Sequence, residues 1–421
     1  VKNKNNISLR GQAEEVIKKT SFFPNWGEGR LKSMIENRPD WCISRQRSWG
    51  VPIPILLNKE TNLRHQEYIS FFEKIAKMME KEGVDAWFNL DMNSMLGADA
   101  DAYLKSTDTL DVWFDSGTTH QSVIQDREEL KYPADLYLEG SDQHRGWFQS
   151  SLLTGCAISS EAPFKGLLTH GFVVDGEGHK MIKSKGNVIS PQKIINQYGA
   201  DILRLWVAST DYSGELNISD EIMKRVADSY RRIRNTLRFL ISNIEDIDKE
   251  KEIMAPEKML FIDRYALYQS KILQESIIKD YDAFNFYLGV QKFVSYCSED
   301  LGGFYLDVIK DRLYTMKESS HGRRSAQSAL FHITQSLIRI MAPILSFTAH
   351  EAFEVIFKKN KKNIFIANWY QFPKKLMQVK ETGSWNNRLQ IRGQVNKKNE
   401  DNRVNANVGP SVPPEIEINA L

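Results

Sequence analysis

The pattern of apolar and polar residues changes along this chain near Ser219. In ADLYLEG, Leu136 and Leu138 alternate with Asp135 and Tyr137, a period of two that predicts a β-strand. Beyond Ser219, apolar residues recur at helical spacing instead, as in SYRRIRNTLRFLISNI. The pattern therefore predicts an α/β region followed by an all-α bundle. After that first long helix, further helices are predicted near 259–280, 283–300, 303–316, 323–340 and 343–358.

The predicted strand leads directly into a turn and a helix. Gly140 and the serine after it end the strand, and Asp142 is placed to cap the helix that follows. In an open parallel sheet, ligands bind in the crevice beyond the carboxyl ends of the strands. We therefore expect Glu139, Asp142 and Gln143 to lie at such a crevice.

A second polar cluster occurs in GFVVDGEGHKMIKSKGN. Its glycines predict a short strand pair that turns at 176–178. The loop that follows holds Lys180, Lys183 and Lys185 within six residues, beside Ser184 and a glycine. Three ammonium groups with a hydroxyl and a flexible backbone can bind phosphate groups.

The segment EGSDQHRGWF followed by KMIKS resembles the catalytic core of a class I aminoacyl-tRNA synthetase, and within that class the bacterial isoleucyl family. The loop matches the family's KMSKS signature at Lys180, Met181, Lys183 and Ser184, and it departs from the signature at Ile182. The likeness runs from about residue 21 to 384, and its later part, with RRIRN and FYLDVIKDRLY, is similar to the family's anticodon-binding bundle. It implies the second part of a Rossmann-like catalytic domain, followed by that helical bundle.

The resemblance implies ATP-dependent activation of isoleucine as an aminoacyl-adenylate, and its transfer to isoleucine tRNA. When the family's site residues are transferred to the matching positions of this sequence, Glu139 and Gly140 contact the adenylate, and Asp142 and Gln143 lie close to it. The motif DVWFDSG lines the amino-acid pocket in the family.

Two aromatic residues and the lysine loop receive the remaining roles. The resemblance also implies that Trp113 and Trp147 bound the side-chain pocket, and an aromatic wall suits a branched aliphatic ligand. Lys183, supported by Lys180, is assigned to the charge that develops on the departing pyrophosphate, and Lys183 and Ser184 to ATP binding. Magnesium is expected to arrive with ATP, and no zinc site or other metal cage is visible in the sequence.

Several charged residues admit two interpretations. Arg231, Arg234 and Arg238 form one face of a helix, which is either a solvated surface or a stripe that contacts tRNA. Arg45, Gln46 and Arg47 either face the nucleotide or the tRNA end, or Arg45 and Arg47 pair with carboxylates across a domain seam. The aspartates of TDTLDVWFDSG, among them Asp111, match no metal cage and are expected to serve in loops and caps.

The composition sets broad limits. The chain has 421 residues, is 41% hydrophobic and carries a formal net charge of +2 at pH 7, so a large core is expected and any tRNA surface must be local. The three cysteines are far apart, without a CxxC pair, which fits a reducing cytoplasm. Neither a signal peptide nor an apolar run long enough for a bilayer is apparent. We expect a cytoplasmic monomer.

The predicted domains are 1–20, the end of an editing insertion or a linker; 21–218, the catalytic part; 219–384, the anticodon bundle; and 385–421, a divergent and disordered tail. Smaller features are also expected. They are a turn-rich connection at 22–29, a buried Trp49, a surface His65 and a solvated basic loop at 358–362.

The family's HIGH signature and editing domain are not found in this sequence, which begins at Val1. The expectation is a C-terminal fragment of a longer enzyme. Two other classes of function are kept open. One is a tRNA- or protein-binding module without catalytic activity, which Ile182 and the missing signature favour. The other is a different nucleotidyl-transferring enzyme, against which the helical bundle argues.

A first prediction concerns residues 1–421 expressed alone. A lysine loop without the other ATP-binding signature does not fix the nucleotide for in-line attack, so we expect no isoleucine-dependent ATP–pyrophosphate exchange. We expect binding of isoleucine tRNA that weakens as salt rises, because phosphate contacts release counterions. Exchange assays and tRNA binding at two salt concentrations test both. Robust exchange contradicts the fragment interpretation, and a folded chain that fails to bind tRNA contradicts the bundle assignment.

Overall fold

The computed structural model describes residues 7–248, 251–357 and 363–376, together with 383, 385, 387 and 390–395. The chain divides into two compact units. The first comprises Val1–Val174 and Tyr212–Leu216, and the second comprises Asp175–Asp211 and Asn217–Leu421. The basic run predicted at 358–362, and most of the tail predicted at 385–421, lie outside the described residues.

The first unit contains helices and short strands in alternation. Its helices are α1 (Leu9–Ile17), α2 (Trp26–Glu36), α3 (Tyr68–Glu82), α4 (Asp85–Phe88), α5 (Met92–Leu96), α6 (Val112–Gly117) and α7 (Trp147–Ser159). The strands are β1 (Ser21–Phe23), β2 (Ser44–Arg45), β3 (Leu56–Asn58), β4 (Tyr103–Lys105), β5 (Thr109–Leu110), β6 (Tyr137–Gly140), β7 (Gly166–His170) and β8 (Val173–Val174), followed by β9 (Leu216–Asn217).

A parallel three-stranded sheet with the order β1-β7-β6 forms the centre of this unit. Phe22 pairs with Leu167 and is 6% exposed. The turn-rich connection predicted at 22–29 is therefore wrong, since this stretch supplies strand β1 and the first turns of α2. Apolar packing against the sheet outweighs the local turn signals. Helices α1, α2 and α7 share this core, in which Leu31 and Leu152 are fully buried.

A small module inside the first unit folds around Trp87, which is fully buried. The β3–β4 pair and helices α3–α5 surround it. The Lys105 ammonium donates to three backbone carbonyls near the end of α4, those of Trp87, Phe88 and Leu90, at 2.8–3.1 Å. A cation at the carboxyl end of a helix satisfies its unpaired carbonyls and complements its dipole.

His65 belongs to this module and is not the surface histidine that the sequence predicted. Its ring lies 4.7 Å from the rings of both Phe71 and Tyr103. Its Nδ1 accepts a hydrogen bond from the backbone N–H of Glu67 at 3.1 Å. These partners lie on α3 and β4, so the packing depends on tertiary contacts.

The second unit is mainly helical, as predicted. Its helices are α8 (Pro191–Tyr198), α9 (Ala200–Ser209), α10 (Asp220–Ser242), α11 (Phe261–Asp282), α12 (Phe286–Ser295), α13 (Leu306–Thr315), α14 (His321–Met341) and α15 (Ser346–Ile356). The side chain of Ser219 caps α10 by accepting from Ile222 N. The helix predicted at 283–300 starts later, at Phe286, and continues as a π-helical segment, Tyr296–Tyr305. One apolar core spans α9 to α15.

A buried charge network crosses this helical core. Asp263 is fully buried and accepts two hydrogen bonds from Arg312, at 2.7 and 2.8 Å. Tyr305 and Ser325 also donate to the Asp263 carboxylate, at 2.8 and 2.5 Å. Burial and the adjacent carboxylate raise the pKa of Tyr305, so its phenol stays protonated and donates. The network connects α11, α13 and α14.

We predict that Asp263→Asn strongly destabilises the helical unit, because it leaves the Arg312 guanidinium buried without a counter-charge. The loss of unfolding free energy expected for such a change is about 3–5 kcal/mol. Urea unfolding followed by circular dichroism measures it. The matched control is Asp307→Asn, which removes an exposed carboxylate that pairs with Lys310 at 2.8 Å and is expected to change stability little. Equal effects of the two substitutions contradict the prediction.

Candidate functional site

The carboxyl ends of β6 and β7 lie side by side, with Gly140 opposite His170 in the parallel register. Glu139 precedes this end and is solvent-exposed. A Cβ on Gly140 would lie 2.9 Å from Asp142 Oδ1 and 3.6 Å from His170 Cε1. The strand end is thus covered closely by one carboxylate and one imidazole. The structure brings Glu139, Gly140 and Asp142 together at the expected edge of the sheet.

Gln143, and not Asp142, caps the helix that follows this strand. A 3-10 turn, Ser141–His144, precedes α7. The Gln143 amide oxygen accepts from the Trp147 backbone N–H at 3.0 Å, and its Nε2 donates to Asp142 Oδ2 at 3.0 Å. The predicted Asp142 cap is therefore wrong. The extra turn shifts the helix start to Trp147 and leaves the exposed Asp142 carboxylate for other contacts.

His144 in this turn is a structural residue. It is fully buried, and its Nδ1 donates to the carbonyl of Ser141 at 3.2 Å. Its ring lies 5.6 Å from that of Trp26 and 5.4 Å from that of Phe148. Burial lowers the pKa of His144, so the ring is neutral at physiological pH.

Asp111 organises the approach to Trp113. One of its carboxylate oxygens accepts from the Trp113 backbone N–H at 3.2 Å, which caps α6. The other accepts from Trp41 Nε1 at 2.9 Å and from Arg45 Nη2 at 2.6 Å. The expected capping role is confirmed for Asp111. Arg45 therefore pairs with a carboxylate, as one of its two interpretations had it, but Asp111 lies in the same compact unit and not across a domain seam.

Trp113 lies against the backbone at Gly146. Its side chain is 42% exposed. A Cβ on Gly146 would lie 2.9 Å from Trp113 Cη2 and 2.6 Å from Gln143 Oε1. Only a glycine allows the indole and the Gln143 cap to approach this closely. Trp113 thereby presents a partly exposed aromatic wall beside the start of α7.

Trp147 is held more firmly. Its indole stacks on Tyr137, with centroids 4.2 Å apart and an interplanar angle of 2°. Its Nε1 donates to the carbonyl of Ser116 at 2.9 Å.

The prediction that Trp49 is buried is wrong, because 84% of this residue is exposed. It lies in a bend at 48–50, where the backbone of Gly50 passes so close to Thr109 that an added Cβ would lie 3.1 Å from Thr109 Cβ.

The lysine loop belongs to the second unit and is braced by Asp175 and Asn187. One Asp175 oxygen accepts from the backbone N–H groups of Glu177 and His179, at 3.0 and 2.9 Å. The other accepts from Asn187 Nδ2 at 2.8 Å, while Asn187 Oδ1 accepts from the backbone N–H of Ile182 at 2.9 Å. This aspartate turn lies at 176–178, where the sequence predicts one, and it separates strand β8 from Lys180, which lies in a β-bridge, as expected for a short strand pair. Hydrogen bonds from Asn187, and then from the His179 backbone, lower the pKa of Asp175.

The lysine-loop residues between Asp175 and Asn187 remain at the surface. Lys183, Ser184 and Lys185 form a 3-10 turn and are all exposed. The Ile182 side chain is 40% exposed, and its backbone makes the hydrogen bond to Asn187. A side-chain change at 182 therefore leaves the brace intact. The sequence argument missed Asp175 and Asn187, although an Asp before a glycine turn is a recognisable Asx-turn signal.

The arginines of α10 differ in their partners. Arg231 pairs with Asp228 one turn away, at 2.5 Å. Arg234 forms two hydrogen bonds with Glu351 on α15, at 3.0 and 3.2 Å, and Glu351 raises the pKa of Arg234. Arg238 is exposed and makes no ion pair with any described residue. Of the three arginines expected on one face, two are already engaged within the protein.

Within the described ranges, no group of three or more His, Cys, Asp or Glu side chains is arranged to hold a metal ion. The same residues include no helix with the length and apolar character needed to cross a bilayer.

The sequence matches two known families. The family of class I tRNA synthetases (I, L, M and V) matches residues 1–219, just over half of the chain. The anticodon-binding domain of tRNA ligase matches residues 263–418.

Curated relatives match over nearly the whole chain. The isoleucine–tRNA ligase of Dechloromonas aromatica is 53% identical over 419 residues, which cover 99% of this chain and 45% of the relative. That of Thiobacillus denitrificans is 54% identical over 413 residues, covering 98% of this chain and 44% of the relative. The chain spans somewhat less than half the length of these relatives.

Solved structures share the fold at low sequence identity. A leucyl synthetase from Agrobacterium radiobacter, solved with tRNA and LeuAMS, has a TM-score of 0.60 at 18% identity and covers 81% of this chain and 43% of its own. Methionyl-tRNA synthetase from Mycobacterium tuberculosis, in complex with methionyl-adenylate, has a TM-score of 0.59 at 16% identity and covers 85% of this chain and 68% of its own.

We predict that Gly146→Ala destabilises the first unit, because the new methyl group overlaps Trp113 and the Gln143 cap. Overpacking of this kind costs about 1–3 kcal/mol. The matched control is Gly29→Ala in α2, where a Cβ meets nothing within 4 Å and alanine is expected to be neutral or stabilising. Urea unfolding of both variants measures the difference. A Gly146→Ala protein as stable as the Gly29→Ala protein contradicts the described contact.

Proposed function

This chain belongs to the class I tRNA synthetase family of the isoleucyl, leucyl, methionyl and valyl enzymes, and we propose that it serves in the ATP-dependent activation of isoleucine and its transfer to isoleucine tRNA. The observation that carries the proposal is identity above 50% with isoleucine–tRNA ligases over 98–99% of the chain. The shared stretch includes both the crevice at the end of β6 and the braced lysine loop.

At the crevice, Glu139 contacts the isoleucyl-adenylate, and its exposure at a strand end supports that role. The Gly140 backbone and the Asp142 carboxylate lie beside it. Asp142 supplies a hydrogen-bond acceptor for ligand hydroxyl or ammonium groups, because its remaining oxygen is not used in capping. Gln143 acts indirectly, since both ends of its amide hold the turn.

The side-chain pocket is bounded by Trp113 and Trp147. The partly exposed Trp113 offers a face to an aliphatic group, and Gly146 fixes its position. Trp147, whose N–H and one ring face are already engaged, supplies a rigid second wall. Filled volume in such a pocket favours isoleucine over smaller side chains by about 1–3 kcal/mol for one methylene; the isoleucyl enzyme is itself a standard example of this range.

The lysine loop stabilises charge on the departing pyrophosphate. The isoleucine carboxylate attacks the α-phosphorus, and negative charge grows on the leaving group. Lys183 and Ser184 are exposed on a turn whose shape is maintained by Asp175 and Asn187, so their donors are free to meet phosphate oxygens. Lys180 supports Lys183 from the start of the loop. Magnesium enters with ATP as part of the substrate.

The helical unit contacts tRNA. Of the arginines on α10, Arg238 is the best placed for phosphate binding, because it has no counter-ion among the described residues. Arg231 and Arg234 already pair with carboxylates, and a phosphate contact would have to replace those pairs. The protein acts as a cytoplasmic monomer.

Substrate choice within the family is tested with the complete protein that carries this sequence. ATP–pyrophosphate exchange is measured with isoleucine, leucine, methionine and valine. Exchange is expected to be strongest with isoleucine, with valine second, since the pocket distinguishes them by one methylene. Exchange driven best by another amino acid overturns the substrate assignment. A folded protein that binds tRNA but exchanges with none of the four is the non-catalytic tRNA-binding module.

We predict that Lys183→Ala slows isoleucine-dependent exchange in that protein about 10²-fold, which is typical for the loss of one preorganised donor at a developing charge. Ile182→Ser is expected to have a much smaller effect, because the brace uses the backbone at this position. Lys193→Ala, an exposed lysine on α8, serves as the control. Unchanged exchange in a correctly folded Lys183→Ala protein contradicts the role assigned to the loop.

A further inference from the structure

Helix α6 carries Trp113 but has only six residues. A helix of this length is unstable by itself, so its position depends on what it packs against. Its main neighbour is α7. The way these two helices are joined therefore determines where the aromatic wall stands.

Two side chains of α7 donate to the last carbonyls of α6. Trp147 Nε1 donates to the carbonyl of Ser116 at 2.9 Å, and Thr154 Oγ1 donates to that of Gly117 at 2.6 Å. Trp147 and Thr154 are seven residues apart, about two turns, and therefore lie on one face of α7. The last carbonyls of a helix need partners outside it, and here α7 supplies a donor to each of the two, while Thr119 Oγ1 also donates to the Ser116 carbonyl at 2.9 Å.

The approach of the two helices is as close as the backbone allows. A Cβ on Gly117 would lie 3.1 Å from the Ser150 backbone carbonyl carbon and from its side chain. Glycine thus lets α6 lie directly on α7. This contact opposes movement of α6 toward α7, and the hydrogen bonds from α7 oppose its movement away.

His120 completes the attachment. It is fully buried, begins a π-helical turn just after α6, and its Nε2 lies 3.1 Å from Thr154 Oγ1. Thr154 Oγ1 lies 2.6 Å from the Gly117 carbonyl and 3.0 and 3.1 Å from the carbonyls of Ser150 and Ser151 in its own helix. Its single proton goes to the nearest of these carbonyl oxygens, so Oγ1 accepts from Nε2–H. This assigns the neutral Nε2–H tautomer. Burial lowers the pKa of His120, in agreement with a neutral ring.

We propose that the His120–Thr154 pair is a positioning device that determines isoleucine-over-valine selectivity by fixing α6, and hence Trp113, on α7. The inference rests on the proposed function. Trp113 lies one helical turn before Gly117, so a shift at the Thr154 attachment moves the indole over Gly146. A pocket that separates substrates by one methylene is sensitive to such movements.

The test compares Thr154→Val, which keeps the shape and removes the hydroxyl, with Thr154→Ser, which keeps the hydroxyl. In the complete protein, Thr154→Val is expected to lower the ratio of kcat/KM for isoleucine to that for valine about tenfold, out of the roughly 10–200-fold available. The KM for ATP is expected to change less than about twofold, because the proposed function assigns this wall to the amino-acid side chain. Thr154→Ser is expected to retain the original ratio.

A matched control is Thr334→Val, which removes another buried helical threonine hydroxyl, bonded to the Leu330 carbonyl at 2.7 Å in the helical unit. It is expected to leave the ratio unchanged. An unchanged ratio in folded Thr154→Val, or a parallel rise of the KM for ATP, overturns the proposal. If Thr154→Val does not fold, the same ratio of kcat/KM values is measured for His120→Gln, and an unchanged ratio in that variant overturns the proposal.

A measurement that does not depend on catalysis distinguishes failure of this positioning role from failure of the proposed function. Amide hydrogen exchange at 112–117 in residues 1–421 is expected to accelerate at least about tenfold in Thr154→Val and to stay unchanged in Thr154→Ser. Unchanged protection in Thr154→Val overturns the positioning device. If the unsubstituted complete protein shows no isoleucine-dependent exchange while protection responds as expected, the proposed function fails and the attachment of α6 stands.

Discussion

The aromatic side of the crevice depends on the attachment of one short helix to one long helix. Six residues of α6 gain too few internal hydrogen bonds to be stable alone, so each end needs a partner. Asp111 caps the first turn and also binds Trp41 and Arg45. Side chains of α7 bind the last carbonyls. The position of Trp113 is therefore a property of this packed assembly and not of α6 itself.

In both units, some polar residues make the hydrogen bonds that shape a turn or loop, and other polar residues remain exposed at the surface. In the lysine loop, a carboxylate and an amide, Asp175 and Asn187, make the structural hydrogen bonds. Lys183 and Ser184 stay exposed between them. At the crevice, Gln143 holds the turn while Glu139 remains exposed. Glu139, Lys183 and Ser184 are exposed, so the charges of Glu139 and Lys183 keep their hydration in the free protein and need no buried counter-charge.

The helical core of the second unit, by contrast, buries a charged carboxylate. Asp263 is surrounded by Arg312, Tyr305 and Ser325, which together satisfy both carboxylate oxygens. A buried carboxylate is tolerated only with such a complete set of donors. The pairing of Arg234 with Glu351 shows why a row of arginines is not by itself a nucleic-acid surface. Carboxylates on a neighbouring helix neutralise part of it.

The sequence by itself determined the features that depend on neighbours a few residues apart. Alternation located β6, helical spacing located α10 to α15, and local capping chemistry identified Asp111. The short motifs EGSDQHRGWF and KMIKS were sufficient to indicate the family, since each is contiguous in the chain.

Tertiary structure decided whatever depends on distant residues. Phe22 is in a strand because Leu167 pairs with it, and His65 is packed because Tyr103 lies against it. Trp49 is exposed despite its apolar character, and Arg234 is paired with a residue 117 positions away. Periodicity reports that one face of an element is buried, but not which element covers it. The partners of Thr154 and His120 were invisible for this reason: their hydrogen bond joins positions 34 residues apart that meet only when α6 lies on α7.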